Sequence, residues 1–312
     1  MVDAAAGVRE AARAARVGAT LLTDHDAAFP AHWSVFGDLP PLLYVRGAWP
    51  RELTPWPPEA IAVVGSRRAD AAACAFAFDL AAAAARAGVS VVSGLAYGID
   101  AAAHRGALSV GAGAAPTVAV VARGVDRPGP AGNRTLARAI IASGGALVAE
   151  APLGSSPRKG DFPRRNRLIA ALARAVVVVA AGAASGAHRT AGHAAAYGRD
   201  VFAVAARPWD EAYAGNLALL RDGAAPVYGL DDALQALGIG PAPGATDALA
   251  GDVARIPDDL RWLWTLLTPT PEPVETLVER GGRGVGATLA GLEALVDARL
   301  CSVDGARRYR RR

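Results

Sequence analysis

Lysine is almost absent from this 312-residue chain: of its 33 basic side chains, only Lys159 is a lysine. Cysteine is nearly as scarce. Cys74 and Cys301 stand far apart, match no metal-ligand spacing, and read as structural thiols of a reducing compartment. Aromatic residues make up 6%, and alanine inflates the 52% hydrophobic total, so a core must rest on clusters of Val, Leu and Ile. No apolar run is long enough to cross a bilayer, since even 171–187 is broken by Arg174 and Gly182. The first residues, with Asp3, Arg9 and Glu10 in an alanine-rich stretch, lack the basic-then-apolar order of a secretory leader. The Gly-x-Gly-x-x-Gly dinucleotide fingerprint is missing too. These absences predict a cytoplasmic protein with no membrane insertion, no metal and no cofactor.

What is present is a repeated alternation. Apolar, mostly β-branched runs at 61–64, 89–92, 117–121, 146–149, 176–180 and 201–204 are separated by alanine-rich helical stretches at 71–87, 99–111, 133–142, 162–173 and 187–197. Runs that are apolar throughout rather than alternating imply strands buried on both faces, hence a parallel sheet. The expected fold is α/β: a Rossmann-like, doubly wound, mostly parallel sheet over 60–237. Residues 1–59 form an N-terminal extension with a strand at 42–45, and 238–251, rich in Gly and Pro, a linker. Residues 252–312 carry three helical patterns and a strand–Gly–strand ending, as in a small winged-helix-like domain.

Four strand-to-helix junctions suit phosphates. Gly65-Ser66-Arg67 follows the first strand of the sheet, where Gly65 admits a close approach, Ser66 offers a hydroxyl and an amide, and Arg67 a forked cation. A surface arginine after a glycine turn would read the same way. Ser93-Gly94 opens the helix that carries Asp100, placed to cap it, and His104, which has no nucleophile or metal partner at a useful spacing and is read as packed or surface. Lys159 to Arg167 collects Lys159, Phe162, Arg164, Arg165, Asn166 and Arg167 ahead of an apolar helix. Cations there oppose the helix dipole unless an anion joins them, and Phe162 could stack on a base. Ser185, Gly186 and Thr190 follow a later strand, with simple capping by Ser185 as the alternative. Net charge is only +4, and the C-terminal arginine run reads as a solvated tail.

These blocks resemble the DNA-processing protein A family (DprA, also called Smf). The resemblance rests on 62–67, 92–104 and Phe162-Pro163-Arg164-Arg165-Asn166-Arg167-Leu168-Ile169-Ala170, extended by 198–204 and 220–224. It implies a non-catalytic single-stranded DNA-binding protein that forms a homodimer, guards incoming DNA in natural transformation and loads the RecA recombinase. Carried onto this chain, the family's pocket falls on Arg67, Lys159, Phe162, Arg165, Asn166 and Arg167, with Ser185, Gly186 and Thr190 in its Ser-Gly-x-x-x-Thr turn. The chain departs from the family pattern in four places. Ala122 and Gly129 replace a glycine and the tyrosine of the Gly-x-Gly-Leu-Asp-x-x-Tyr-Pro turn, Ala149-Glu150 stands for Ser-Glu, and Val204-Ala205-Ala206 for Val-Pro-Gly. Most of the N-terminal helical domain of many members is missing.

Two other readings compete. A nucleotide enzyme of the phosphoribohydrolase type would need an activating carboxylate beside a Pro-Gly-Gly-type loop; no such loop is found, and Glu150 is the one candidate. A duplex-reading role for the C-terminal domain would use 285–298, where Glu293 and Asp297 outnumber cations, so protein contact or packing fits better.

Overall fold

The structure is a computed structural model that describes residues 4–55, 58–158, 160–240, 256–267, 272–298, 300–304 and 308–311. The chain divides into two compact units, 1–240 and 241–312. In the first unit the elements are α1 (Ala4–Arg16), β1 (Ala19–Thr23), β2 (Leu42–Gly47), β3 (Ala60–Val64), α2 (Ala71–Arg86), β4 (Ser90–Ser93), α3 (Ile99–Ser109), β5 (Thr117–Val120) and α4 (Arg134–Ala142). They continue as β6 (Ala146–Ala149), α5 (Asp161–Ala171), β7 (Ala175–Val178), α6 (Ala187–Ala196), β8 (Asp200–Val204), α7 (Ala214–Arg221), β9 (Ala225–Val227) and α8 (Leu230–Ala236).

The strands form one nine-stranded sheet in the order β1-β2-β6-β5-β4-β3-β7-β8-β9. From β6 to β9 every pairing is parallel, while β1 and β2 add an antiparallel edge, Tyr44 lying opposite Ala149. The fold is therefore the Rossmann-like α/β arrangement that the uninterrupted apolar runs predict. The segment before residue 60 supplies two of the nine strands, one more than its sequence predicts.

Burial follows the period of two. Ile61 and Val63 of β3 pack with Ala77, Leu80 and Ala84 of α2, whereas Ala62 and Val64 point to the opposite face with Leu168, Ile169 and Ala191 of α5 and α6. Covering both faces is what makes the central strands apolar at every position. Alanine serves this geometry, because small side chains let α2 and α3 lie close together on one face. At the far edge β9 is three residues long, contains Pro226 and pairs only with β8 among the described strands.

The chain winds outward from β3 in two directions, to β4, β5 and β6 on one side and to β7, β8 and β9 on the other. The reversal leaves a crevice beyond the carboxyl ends of β3 and β7, the place where open α/β sheets hold ligands.

The second unit has helices Arg261–Leu266, Val274–Gly281 and Val285–Asp297 and a three-stranded antiparallel sheet in which Arg308–Arg311 lies between Glu272–Pro273 and Cys301–Val303. Leu263, Leu277, Leu292 and Leu295 form its fully buried centre. No described helix of either unit is long and apolar enough to cross a membrane.

Candidate functional site

A cavity of about 440 Å³ occupies the β3/β7 crevice. Its walls are the turn after β3 (Gly65, Ser66, Arg67, Arg68), the loop after β7 (182–187) and, from α3, α5 and α6, Asp100, Arg165, Asn166 and Thr190. Gly65 is required by packing: a Cβ there would stand 2.7 Å from Ile99 Cγ1 and 2.8 Å from the Ala180 carbonyl oxygen. The Ser66 amide, expected to face a ligand, donates instead to Ala180 (2.6 Å), and its hydroxyl accepts from the Arg68 amide (3.1 Å). These bonds close the turn and leave the Arg67 and Arg68 side chains exposed at the cavity mouth.

The floor holds two buried groups of opposite charge, Arg165 and Asp100. Arg165 is 8% exposed and donates to the carbonyls of Gly94 (2.6 Å) and Val120. Asp100, 6% exposed, accepts from the Gly94 and Ala96 amides at 3.1 and 3.2 Å. Sequence reading assigned the Gly94 amide to an anion; the carboxylate of Asp100 captures it, so Asp100 ties together the turn that precedes its helix. Gly94 must lack a side chain, since a Cβ would lie 2.6 Å from both Arg165 Nη2 and Asp100 Oδ2. Burial pushes the Asp100 carboxyl up, against the pull of Arg165 and the amides. Burial likewise lowers the Arg165 guanidinium to about 10; Asp100 opposes this, and the charge of Arg67 adds to it. Two guanidinium groups thus repel each other across one cavity, and an anion between them would relieve both.

The remaining wall is held by short polar ties. Asn166 Nδ2 donates to the Gly186 carbonyl (3.1 Å), and its Oδ1 accepts from Arg165 Nε (3.2 Å), linking α5 to the β7 loop. Ser185 Oγ accepts from the Ala187 amide (3.3 Å) from one position before the N-cap residue, Gly186, while Thr190 is buried against the cavity. Phe162 lies beside this cavity, with the Arg67 guanidinium over its ring at 5.1 Å from the centroid.

Other expected residues fall elsewhere. Ser93 is fully buried and donates its hydroxyl to the Val63 carbonyl (2.7 Å). Arg167 is 6% exposed and pairs with Glu150 at 2.6 Å; it is not on the cavity wall. Arg164 grips the other oxygen of Glu150 at 2.5 Å, so the one carboxylate available to a hydrolase is clamped between two cations. His104 is packed: Thr117 donates its hydroxyl to the Val91 carbonyl and therefore accepts from His104 Nδ1 (2.8 Å). Burial, then Arg165, lowers this imidazole to about 3. Lys159 lies outside the described residues. Sequence reading left out Arg68 and read Asp100 only as a helix cap; the position of both after Gly65 and Gly94 was the available signal.

A family model described as DNA recombination-mediator protein A matches residues 20–238. The chain belongs to that family. A Mycobacterium tuberculosis protein that carries the DprA name is 44% identical to this recombination-mediator family member over 216 residues, 67% of this chain and 54% of the relative. Protein Smf of Synechocystis is 33% identical over 217 residues, 70% and 54% of the two chains. The chain thus spans about half the length of these relatives. Among solved structures, Streptococcus pneumoniae DNA processing protein A superposes with a TM-score of 0.63 at 32% identity, covering 75% of this chain and 78% of that one. The Helicobacter pylori DNA processing protein A, described for its single-stranded DNA binding mode, gives 0.60 at 27% identity and covers 70% and 95%.

Proposed function

We propose that this chain binds single-stranded DNA in the β3/β7 cavity, protects it, and as a homodimer delivers it to the RecA recombinase during natural transformation and homologous recombination in the cytoplasm. One observation carries the reading: Arg67, Arg68 and Arg165 converge on a single cavity whose one acidic side chain among the described residues, Asp100, is already spent on buried partners. Such a site, among the described residues, has an uncompensated positive field. Membership of a recombination-mediator family and the Helicobacter pylori relative support DNA as the polyanion.

In this reading Arg67 and Arg68 meet the phosphate, with Lys159 joining them. Gly65, Ser66, Asn166, Ser185, Gly186 and Thr190 shape its seat. Arg165 acts through its charge and by fixing the floor, and Ser93 and Arg167 act through packing. Phosphate contacts release counterions, so binding should weaken steeply with salt and tolerate any sequence.

The test is oligonucleotide binding across a salt series. Arg67→Ala should weaken single-strand binding about tenfold, or ~1.4 kcal/mol, and make the slope of log K against log salt shallower by about 0.7. If Arg67→Ala and Lys159→Ala both bind as tightly as the parent with the same slope, the cavity is not the DNA site. RecA delivery is tested separately, by whether the protein speeds RecA assembly on single strands coated with a single-strand-binding protein.

A further inference from the structure

Exposed aromatic rings are unevenly placed on this chain. Among the described residues Tyr97, Trp209 and Tyr228 are the aromatic side chains open to solvent, and each stands beyond the carboxyl end of a strand, β4, β8 or β9. Trp209 is the most open, at 77%. We propose that Trp209 is a stacking platform for a base of the strand that leaves the β3/β7 cavity across the β7 loop. The inference rests on the single-stranded DNA reading and extends it beyond the cavity, to a loop that lines none of its walls.

The ring is held on a stiff support. Arg207, Pro208, Trp209 and Asp210 form a tight turn, closed by the Asp210 amide on the Arg207 carbonyl (3.0 Å). Pro208 takes the second position, where its ring presets the backbone, so Trp209 sits on a tip of little freedom. The turn follows Val204-Ala205-Ala206, where the chain departs from the Val-Pro-Gly of the family pattern. A flat ring offered to solvent is the surface that sequence-tolerant single-strand binding uses, because every base has a π-face.

The foot of the turn is built against the cavity wall. The Gly215 amide donates to the Ala181 carbonyl (2.7 Å), and a Cβ on Gly215 would lie 2.6 Å from the carbonyl oxygens of Ala181 and Gly182. Tyr213 donates its hydroxyl to Asp70 (3.3 Å), the N-cap of α2 that follows Arg67 and Arg68. The segment after β8 thus touches both the β7 loop and the β3 turn. Glu211 sets its carbonyl beside Gly182, 3.6 Å from where a Cβ would stand. Trp209 is two residues away, at most ~7 Å of chain, or about two nucleotides of a strand at ~3.4 Å each. The rim on that side is Gly182-Ala183-Ala184, small residues over which a strand passes without obstruction.

Charge gives the turn a different task from the cavity. Arg207 is exposed, but Asp210 and Glu211 outnumber it, and Asp210 also accepts from the Ala212 amide (3.1 Å). No phosphate is drawn to such a turn, so the contact is ring on base and releases no counterion. The cavity takes the backbone and the salt dependence; the turn takes a base and adds none.

The experiment uses the full chain with a thymidine dodecamer and a deoxyribose–phosphate dodecamer that lacks bases, by fluorescence anisotropy across a salt series. Trp209→Ala should weaken binding of the thymidine dodecamer at least about fivefold, the low end for one base stacked on an aromatic ring. It should keep the parent's slope of log K against log salt and bind the base-free dodecamer as the parent does. Trp209→Phe should retain most of the affinity but lose the quenching of tryptophan emission that the thymidine dodecamer causes in the parent. Arg67→Ala should weaken both dodecamers and make the slope shallower. If Trp209→Ala binds both as the parent does, or loses both alike, the platform is overturned while the Arg67 dependence of the cavity stands. If Trp209→Ala lowers the mass of the free protein in sedimentation, the ring belongs to a contact between copies, and the platform is overturned as well. If Arg67→Ala affects neither dodecamer, the phosphate cavity fails, and the platform fails with it.

Discussion

Two arginine-rich regions lie along the same edge of the sheet and behave oppositely. At the β3/β7 tips, Arg67 and Arg68 are exposed on a cavity whose single carboxylate is engaged with the floor. At the end of β6, Glu150 binds Arg164 and Arg167 together at 2.5 and 2.6 Å. Both regions owe guanidinium groups to the same helix, α5. The difference lies in where the strands deliver their acids, and it shows that arginine density predicts a polyanion site only once neighbouring carboxylates are subtracted.

The largest expected effect lies under the first region. Arg165→Met strips the Gly94 and Val120 carbonyls of their donor and the buried Asp100 of a nearby opposite charge, and should cost about 3–5 kcal/mol of stability in urea denaturation. Adding Asp100→Asn to it should recover part of the loss. A change under 1 kcal/mol, the range of exposed pairs, would place this arginine with its surface neighbours and erase the contrast.

A smaller effect comes from His104 behind that pair. Its folded value of about 3 lies below the unfolded 6.5, so the unfolded chain binds more protons between those two values. Stability therefore falls as pH drops through that window, by about 2 kcal/mol at pH 5. His104→Gln should flatten the curve by that amount, since the other lowered imidazoles, His32 and His193, remain in both proteins. Parallel pH profiles would mean that His104 is hydrated and the floor less closed than its burial indicates.

The smallest effect tests the second region. Glu150→Gln frees Arg164 and should tighten single-strand binding, by roughly threefold or less given the modest worth of an exposed pair. It should also lower stability, because Arg167 is buried and one of its nitrogens already lacks a partner. Weaker DNA binding by this variant would show that Glu150 orders the site, not that it masks a cation.

Much of this was legible from the chain. The central strands announced themselves because burial on both faces makes every position apolar, as in Ile61-Ala62-Val63-Val64. The crevice was legible because Gly65 and Ser185-Gly186 follow strand runs. β1 and β9 were not: Ala19–Thr23 borders the sheet with a mixed pattern of burial, and Ala225–Val227 is too short to show any period. The fates of Arg165 and Arg167 were hidden because their partners, the Gly94 and Val120 carbonyls for the first and Glu150 for the second, come from other elements, and only folding brings them within reach. The departures at Ala122 and Gly129 were visible as isolated changes; the fold sets both on the wall of a smaller cavity that adjoins the first.

One edge feature bears on how the molecule behaves in a crowd. Val227 turns its carbonyl inward to the Ala205 amide at 2.8 Å, so Pro226, one position earlier, directs its ring nitrogen outward. That nitrogen has no hydrogen to donate, on a border strand only three residues long. A stray strand from another chain would find no continuous ladder to extend, which blunts the usual route from an open sheet to runaway aggregation.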